Sequence, residues 1–217
     1  MSAKLDVMGE SALQFFGKMS ASISHEINNV LAIINENAGL LEDVTLMEER
    51  GVPLDPEKLK RISRKVLKQV KRANGIIQNM NRFAHSVDET VKLVDIADTL
   101  EFIIILSSRL CDMKRVSFTI DSCSHRIEIT TNSFLLQNII WLCLDYIMNL
   151  AKSGDTVPIS VEDHDSDVLI RFSGISGLDG MSTCDFPAER ETRLLEALNG
   201  KLQIDNGARE IVLCLKY

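Results

Sequence analysis

Apolar residues recur every three or four positions through residues 8–47. With Ile27 at zero on a helical wheel and about 100° per residue, Phe16, Ile23, Ile34, Ala38 and Leu41 fall within roughly 40° of it, and Val30 and Leu31 lie beside that stripe. The pattern predicts one long amphipathic helix. The segment from Glu49 to Pro56, with Gly51 and Pro53, breaks it. A second helix is expected from about Glu57 to Ser86, where Leu59, Ile62, Val66, Val70, Ala73, Ile76 or Ile77, Met80 and Phe83 step by three and four. Two such helices on a short loop make an antiparallel hairpin. A single hairpin leaves its apolar stripe uncovered, so a four-helix bundle formed by a homodimer is expected.

After Ser86 the pattern shortens. Residues 91–94 read as extended, and Asp95 is placed to cap a helix running to about Leu110. Alternation at Val116, Phe118 and Ile120, then at Ile127 and Ile129, predicts two strands. An apolar helix over 133–151 follows, then strands near 157–162 and 167–172 and a helix from about Ala188 to Asn199. A hairpin, 201–205 and 210–216, closes the chain around Asn206-Gly207. The fold class is α+β: a helical hairpin over residues 1–88, then a two-layer α/β sandwich over 89–217.

Composition narrows the function classes. A formal net charge of −7 argues against nucleic acid as a partner, since no basic excess is present to neutralise phosphates. The basic residues that do exist cluster: Lys58, Lys60, Arg61, Arg64, Lys65, Lys68, Lys71 and Arg72 all lie on the second helix. They make either a solvated face or a landing strip for an acidic partner or phosphate. Five cysteines (Cys111, Cys123, Cys143, Cys184, Cys214) show no metal-type spacing and suit a reducing compartment. Charged residues precede any apolar run, so no signal peptide is expected. Residues 134–151 carry Gln137, Asn138, Asp145 and Asn149, too polar for a membrane span. A cytoplasmic protein without membrane contact is expected.

The candidate chemistry sits on the first helix. His25 falls about 160° from Ile27, on the polar side, with Glu26 beside it and Asn29 one turn on. A histidine phased away from the apolar stripe is placed for solution chemistry rather than for packing. The run Ser-His-Glu-Ile-Asn-Asn (24–29), followed by Val30 and then Leu-Ala-Ile-Ile, resembles the phosphoacceptor H-box of two-component histidine kinases. That resemblance implies that His25 is the nucleophile taking a phosphoryl group and that Glu26 is its base or orienter. It also implies that Asn29 helps to position water for dephosphorylation. The family often has Pro where this chain has Val30.

The second half resembles the ATP-binding domain of the same kinases in element order, but its motifs depart from the family pattern. In the family, a helix reading roughly Q-x-L-x-N-L-x-x-N-A holds Mg²⁺ against the triphosphate. Matched to Gln137–Tyr146, the first Asn position is Trp141, the metal-binding one is Asp145, and Tyr146 replaces a small residue. The adenine-reading D-x-G-x-G becomes Ser173-Gly174-Ile175-Ser176-Gly177, with Ser173 in place of the Asp and Ile175 in place of the first Gly. From Gly180 through Phe186-Pro187 to the last helix there is no Gly-rich phosphate loop and little length for a lid. The pocket near Asp145, Ser173 and Gly177 therefore looks degenerate, and no bound cofactor or metal is expected.

An H-box with a spent ATP domain resembles the dimeric histidine phosphotransferases of bacterial phosphorelays. The resemblance implies phosphoryl shuttling between receiver-domain aspartates of response regulators through His25, with Mg²⁺ supplied by the receiver. A divergent ATP-dependent histidine kinase and a non-catalytic dimeric scaffold are the alternatives. His85, His125 and His164 lack comparable wording and are expected to be surface or structural residues.

Overall fold

The structure is a computed structural model that describes residues 2–121, 125–164, 166–178 and 186–217, with side chains from residue 9 onward. Cys123, Cys184 and the stretch beginning at Gly180 lie outside the described residues. Two helices lead: α1 (Ser2–Glu49) and α2 (Pro56–Ala84). They are followed by β1 (Lys92–Asp95), α3 (Ile96–Lys114), β2 (Ser117–Ile120), β3 (Glu128–Thr131) and α4 (Ser133–Leu150). Then come β4 (Thr156–His164), β5 (Asp167–Phe172), α5 (Glu189–Ala197), β6 (Lys201–Asp205) and β7 (Glu210–Lys216). The fold is α+β. It divides into two compact units, residues 20–84 and a larger one that joins α1 up to Met19 with His85–Tyr217.

In the hairpin unit the buried positions repeat by sevens. Ile23, Val30, Asn37 and Val44 are buried on α1, and Ile62, Ile76 and Phe83 are buried on α2 with Gln69 half-buried in the same register. A seven-residue repeat is that of helices packed knobs-into-holes. This line is turned by ~70° on the helix from the expected Ile27 stripe. Ile27, Ile34 and Leu41 stay half-exposed, Ala38 is exposed, and Leu31, Leu67, Val70, Ile77 and Met80 are exposed. The apolar surface of α1 is thus broader than one packed hairpin uses.

The larger unit holds a five-stranded sheet in the order β2-β4-β5-β7-β6, parallel only between β2 and β4. A separate antiparallel pair, β1 with β3, stands beside it in the chain. Alternation decides the faces of the sheet. Val157, Ile159, Val168, Ile170, Phe172, Ile211, Leu213 and Leu215 are buried, whereas their neighbours Arg171, Val212 and Cys214 are not. Helix α4 is the centre of this core and starts at Asn132, whose side chain accepts from the Leu135 amide (3.0 Å). By composition α4 is long and apolar enough to cross a membrane, but 67% of it is buried inside the unit. Asp95 caps α3 through the Asp98 amide at 2.9 Å, and Arg115 ends it in the left-handed conformation (φ 53°). The β6–β7 hairpin turns through four residues, 206–209, with Arg209 at φ 57°.

Candidate functional site

The burial of Ile23 and Val30 fixes the rotation of α1, and it leaves His25 exposed between them. Glu26 is half-buried, and its Oε1 accepts from Arg72 Nη2 of α2 at 3.1 Å. Asn29 is exposed one turn beyond His25. His25 and Asn29 therefore share an accessible side of the helix, while Glu26 is tied to the neighbouring helix. Arg72 was legible only as one of many bases on α2, because pairing across a hairpin depends on its register. Nearer the start of α2, Arg61, Arg64, Lys65 and Lys68 line a shallow depression with Glu57. Among the described residues these four cations have no ion-pair partner, whereas Lys60 pairs with Glu57 at 2.7 Å.

The positions matched to a nucleotide pocket are engaged by the protein's own side chains. Trp141 is only 1% exposed. Asp145 pairs with Lys18 Nζ at 3.4 Å, and the same ammonium lies 5.5 Å from the Trp141 ring centroid. Tyr146 stacks on Phe186 with centroids 4.1 Å apart. Ser173 Oγ donates to Glu210 Oε1 (3.1 Å), and Ser176 Oγ donates to Asp155 Oδ2 (2.6 Å). The Asp155 carboxyl, which also accepts from the Lys152 amide, is held below its ordinary range, chiefly by Ser176. A Cβ at Gly177 would clash with the Leu150 carbonyl, so this glycine serves close packing at the end of α4. On this helix face stands a buried indole, its carboxylate pairs with a lysine, and the loop hydroxyls donate to carboxylates.

No group of three metal-ligating side chains exists among the described residues. The Cys111 and Cys143 thiols are pushed up by burial, Cys111 to about 11, which makes both poor nucleophiles. His85 faces Asp88 at 2.7 Å, His125 faces Asp163 at 3.3 Å and His164 faces Glu162 at 3.6 Å, all exposed contacts.

No protein-family model matches this sequence, and no curated protein matches it. Solved structures do. The Acinetobacter baumannii histidine kinase AdeS aligns over 88% of this chain and 97% of its own, at 14% identity and a TM-score of 0.50. The chain is histidine kinase-like in fold. The mycobacterial sensor histidine kinase MprB covers 58% of this histidine kinase-like chain and 96% of its own (12% identity, TM-score 0.46). The histidine kinase ThkA in complex with the response regulator TrrA covers 94% of it and 61% of its own (13% identity, TM-score 0.47). By its likeness to AdeS, the helical hairpin followed by the α/β unit has the histidine kinase-type fold, and its first helix carries an exposed histidine.

Proposed function

We propose that this chain is a histidine phosphotransferase of a two-component phosphorelay and that His25 is the phosphoryl carrier. One observation carries the proposal: an exposed His25 lies on a kinase-type hairpin, while Trp141, Asp145, Ser173 and Gly177 are committed to contacts within the protein. In the proposed step a ring nitrogen of neutral His25 attacks the phosphorus of a receiver's aspartyl phosphate. The N–P bond forms as the P–O bond breaks and the receiver's carboxylate is released; a second receiver's aspartate reverses the step. The proton on the other ring nitrogen remains there, where Glu26, itself anchored by Arg72, orients the imidazole. Asn29 positions water for the slower hydrolysis. Mg²⁺ comes with the receiver, so this chain needs no metal site. Partner receivers approach acidic pocket first, and the unpaired cations of α2 favour that approach. The exposed Leu31, Leu67, Val70, Ile77 and Met80 support a homodimer closed over the hairpin.

The test is a relay rebuilt from a phosphorylated donor receiver, this chain and an unphosphorylated acceptor receiver. Label should pass to the acceptor only when the chain is present, and His25→Ala should abolish passage. Arg72→Ala should slow it by about tenfold, because Glu26 loses its anchor. Undiminished passage with His25→Ala would sink the proposal. The kinase alternative draws on the same fold likeness and predicts labelling by ATP alone.

A further inference from the structure

We infer that residues 11–18 of α1 are the resident ligand of the α4 face that carries Phe134, Asn138, Trp141 and Asp145, so that the α/β unit binds an amphipathic helix segment in cis on the surface that a kinase-type domain would give to nucleotide. The two contacting lines are regular. Phe134, Asn138, Trp141 and Asp145 follow one another at spacings of four, three and four on α4, a single face of that helix. Ser11, Phe15 and Lys18 follow at four and three on α1. Ser11 Oγ accepts from Asn138 Nδ2 at 3.3 Å. The Phe15 ring meets Phe134 at 5.5 Å between centroids, tilted by 52°. Lys18 bridges Trp141 and Asp145 as described above, and Arg190 of α5 donates to Gln14 Oε1 at 3.3 Å.

The chemistry of this seam is that of an interface rather than of a core. Phe15 is buried against Phe134 with Trp141 on the same face, and hydrogen bonds and a solvent-exposed ion pair flank them. Leu13 and Phe16, on other sides of the same turns, remain exposed, so the segment is selected for α4 by Ser11, Phe15 and Lys18 and not by general apolarity. Lys18 also supplies the positive charge beside Asp145. The dock is releasable in kind, and it lies on the same helix as His25, seven residues before it.

Trp141 is the only tryptophan in the chain and reports on the dock directly, whether or not His25 accepts phosphoryl. Acrylamide quenching of its emission is measured on the full-length protein, with far-UV circular dichroism as the folding control. Phe15→Glu sets a carboxylate against Phe134 and should raise the quenching constant about threefold, with a red shift, at native helix content. Lys18→Glu and Asp145→Lys alter solvent-exposed groups that the fold does not need, so they remain informative if Phe15→Glu fails to fold. Each should raise quenching alone, and the double swap Lys18→Glu/Asp145→Lys should return it towards the wild-type value. Wild-type quenching in both single charge variants, or a double swap no better than either, would overturn the inference.

Discussion

At the scale of single residues, the loop at Ser173 and Ser176 is tied down by short polar contacts, and these have a pH signature. Asp155 is kept ionised below its ordinary value of 3.8 by the Ser176 hydroxyl and then by the Lys152 amide. A carboxyl depressed in the folded state adds stability that is fully present above the unfolded value and is lost as pH falls through the folded one. Ser176→Ala should therefore lower the melting temperature at pH 7, and the deficit should shrink below about pH 4 as the carboxyl protonates in both proteins. A deficit independent of pH between 7 and 2.5 would contradict this. The exposed placement of His25 and Asn29 was legible because one amphipathic helix carries both a turn apart. Lys18 with Asp145, and Ser11 with Asn138, were not, since each pair is separated by 127 residues and only the tertiary fold joins them.

At the scale of elements, periodicity located the long helices, the capped α3 and the alternating strands. The phase of α1 was less legible. The wheel centred on Ile27 held Ile23 and set Val30 beside it, but the hairpin buries the line that runs from these two through Asn37 and Val44 rather than Ile34 and Leu41. A helix that carries more apolar surface than one partner can cover has no single sequence-derived inward direction. The same line holds a polar layer: Asn37 is buried, its Nδ2 donates to the Ile33 carbonyl (2.7 Å), and its Oδ1 is without a partner among the described residues. Gln69 Oε1 on α2 is likewise unpartnered. Buried polar groups of this kind fix register in helical bundles at a cost in stability. Asn37→Leu should raise hairpin stability by about 1 kcal/mol in thermal or urea unfolding. A clear loss of stability would show that the oxygen is satisfied in the assembled protein.

At the scale of the whole molecule, the chain combines two units. The hairpin presents a histidine to solvent, and the α/β unit buries Trp141 on α4. The exposed Leu31 and Leu67 belong to the hairpin surface that a second copy would cover. Sedimentation should give a dimer for the wild type, and Leu67→Glu should shift it towards monomer without loss of helix content. A wild-type monomer at micromolar concentration would remove the four-helix bundle from the account. Partner identity was not legible in the sequence, because recognition depends on a complementary surface on another protein.

The most direct test of the central claim is to load the chain in two separate reactions, one with labelled ATP and Mg²⁺ alone and one with a phosphorylated receiver alone, and to map the label. Acid-labile phosphoryl on His25 from the receiver, with none from ATP, is the predicted result. Label taken from ATP alone, or label carried on any residue other than His25, would contradict it.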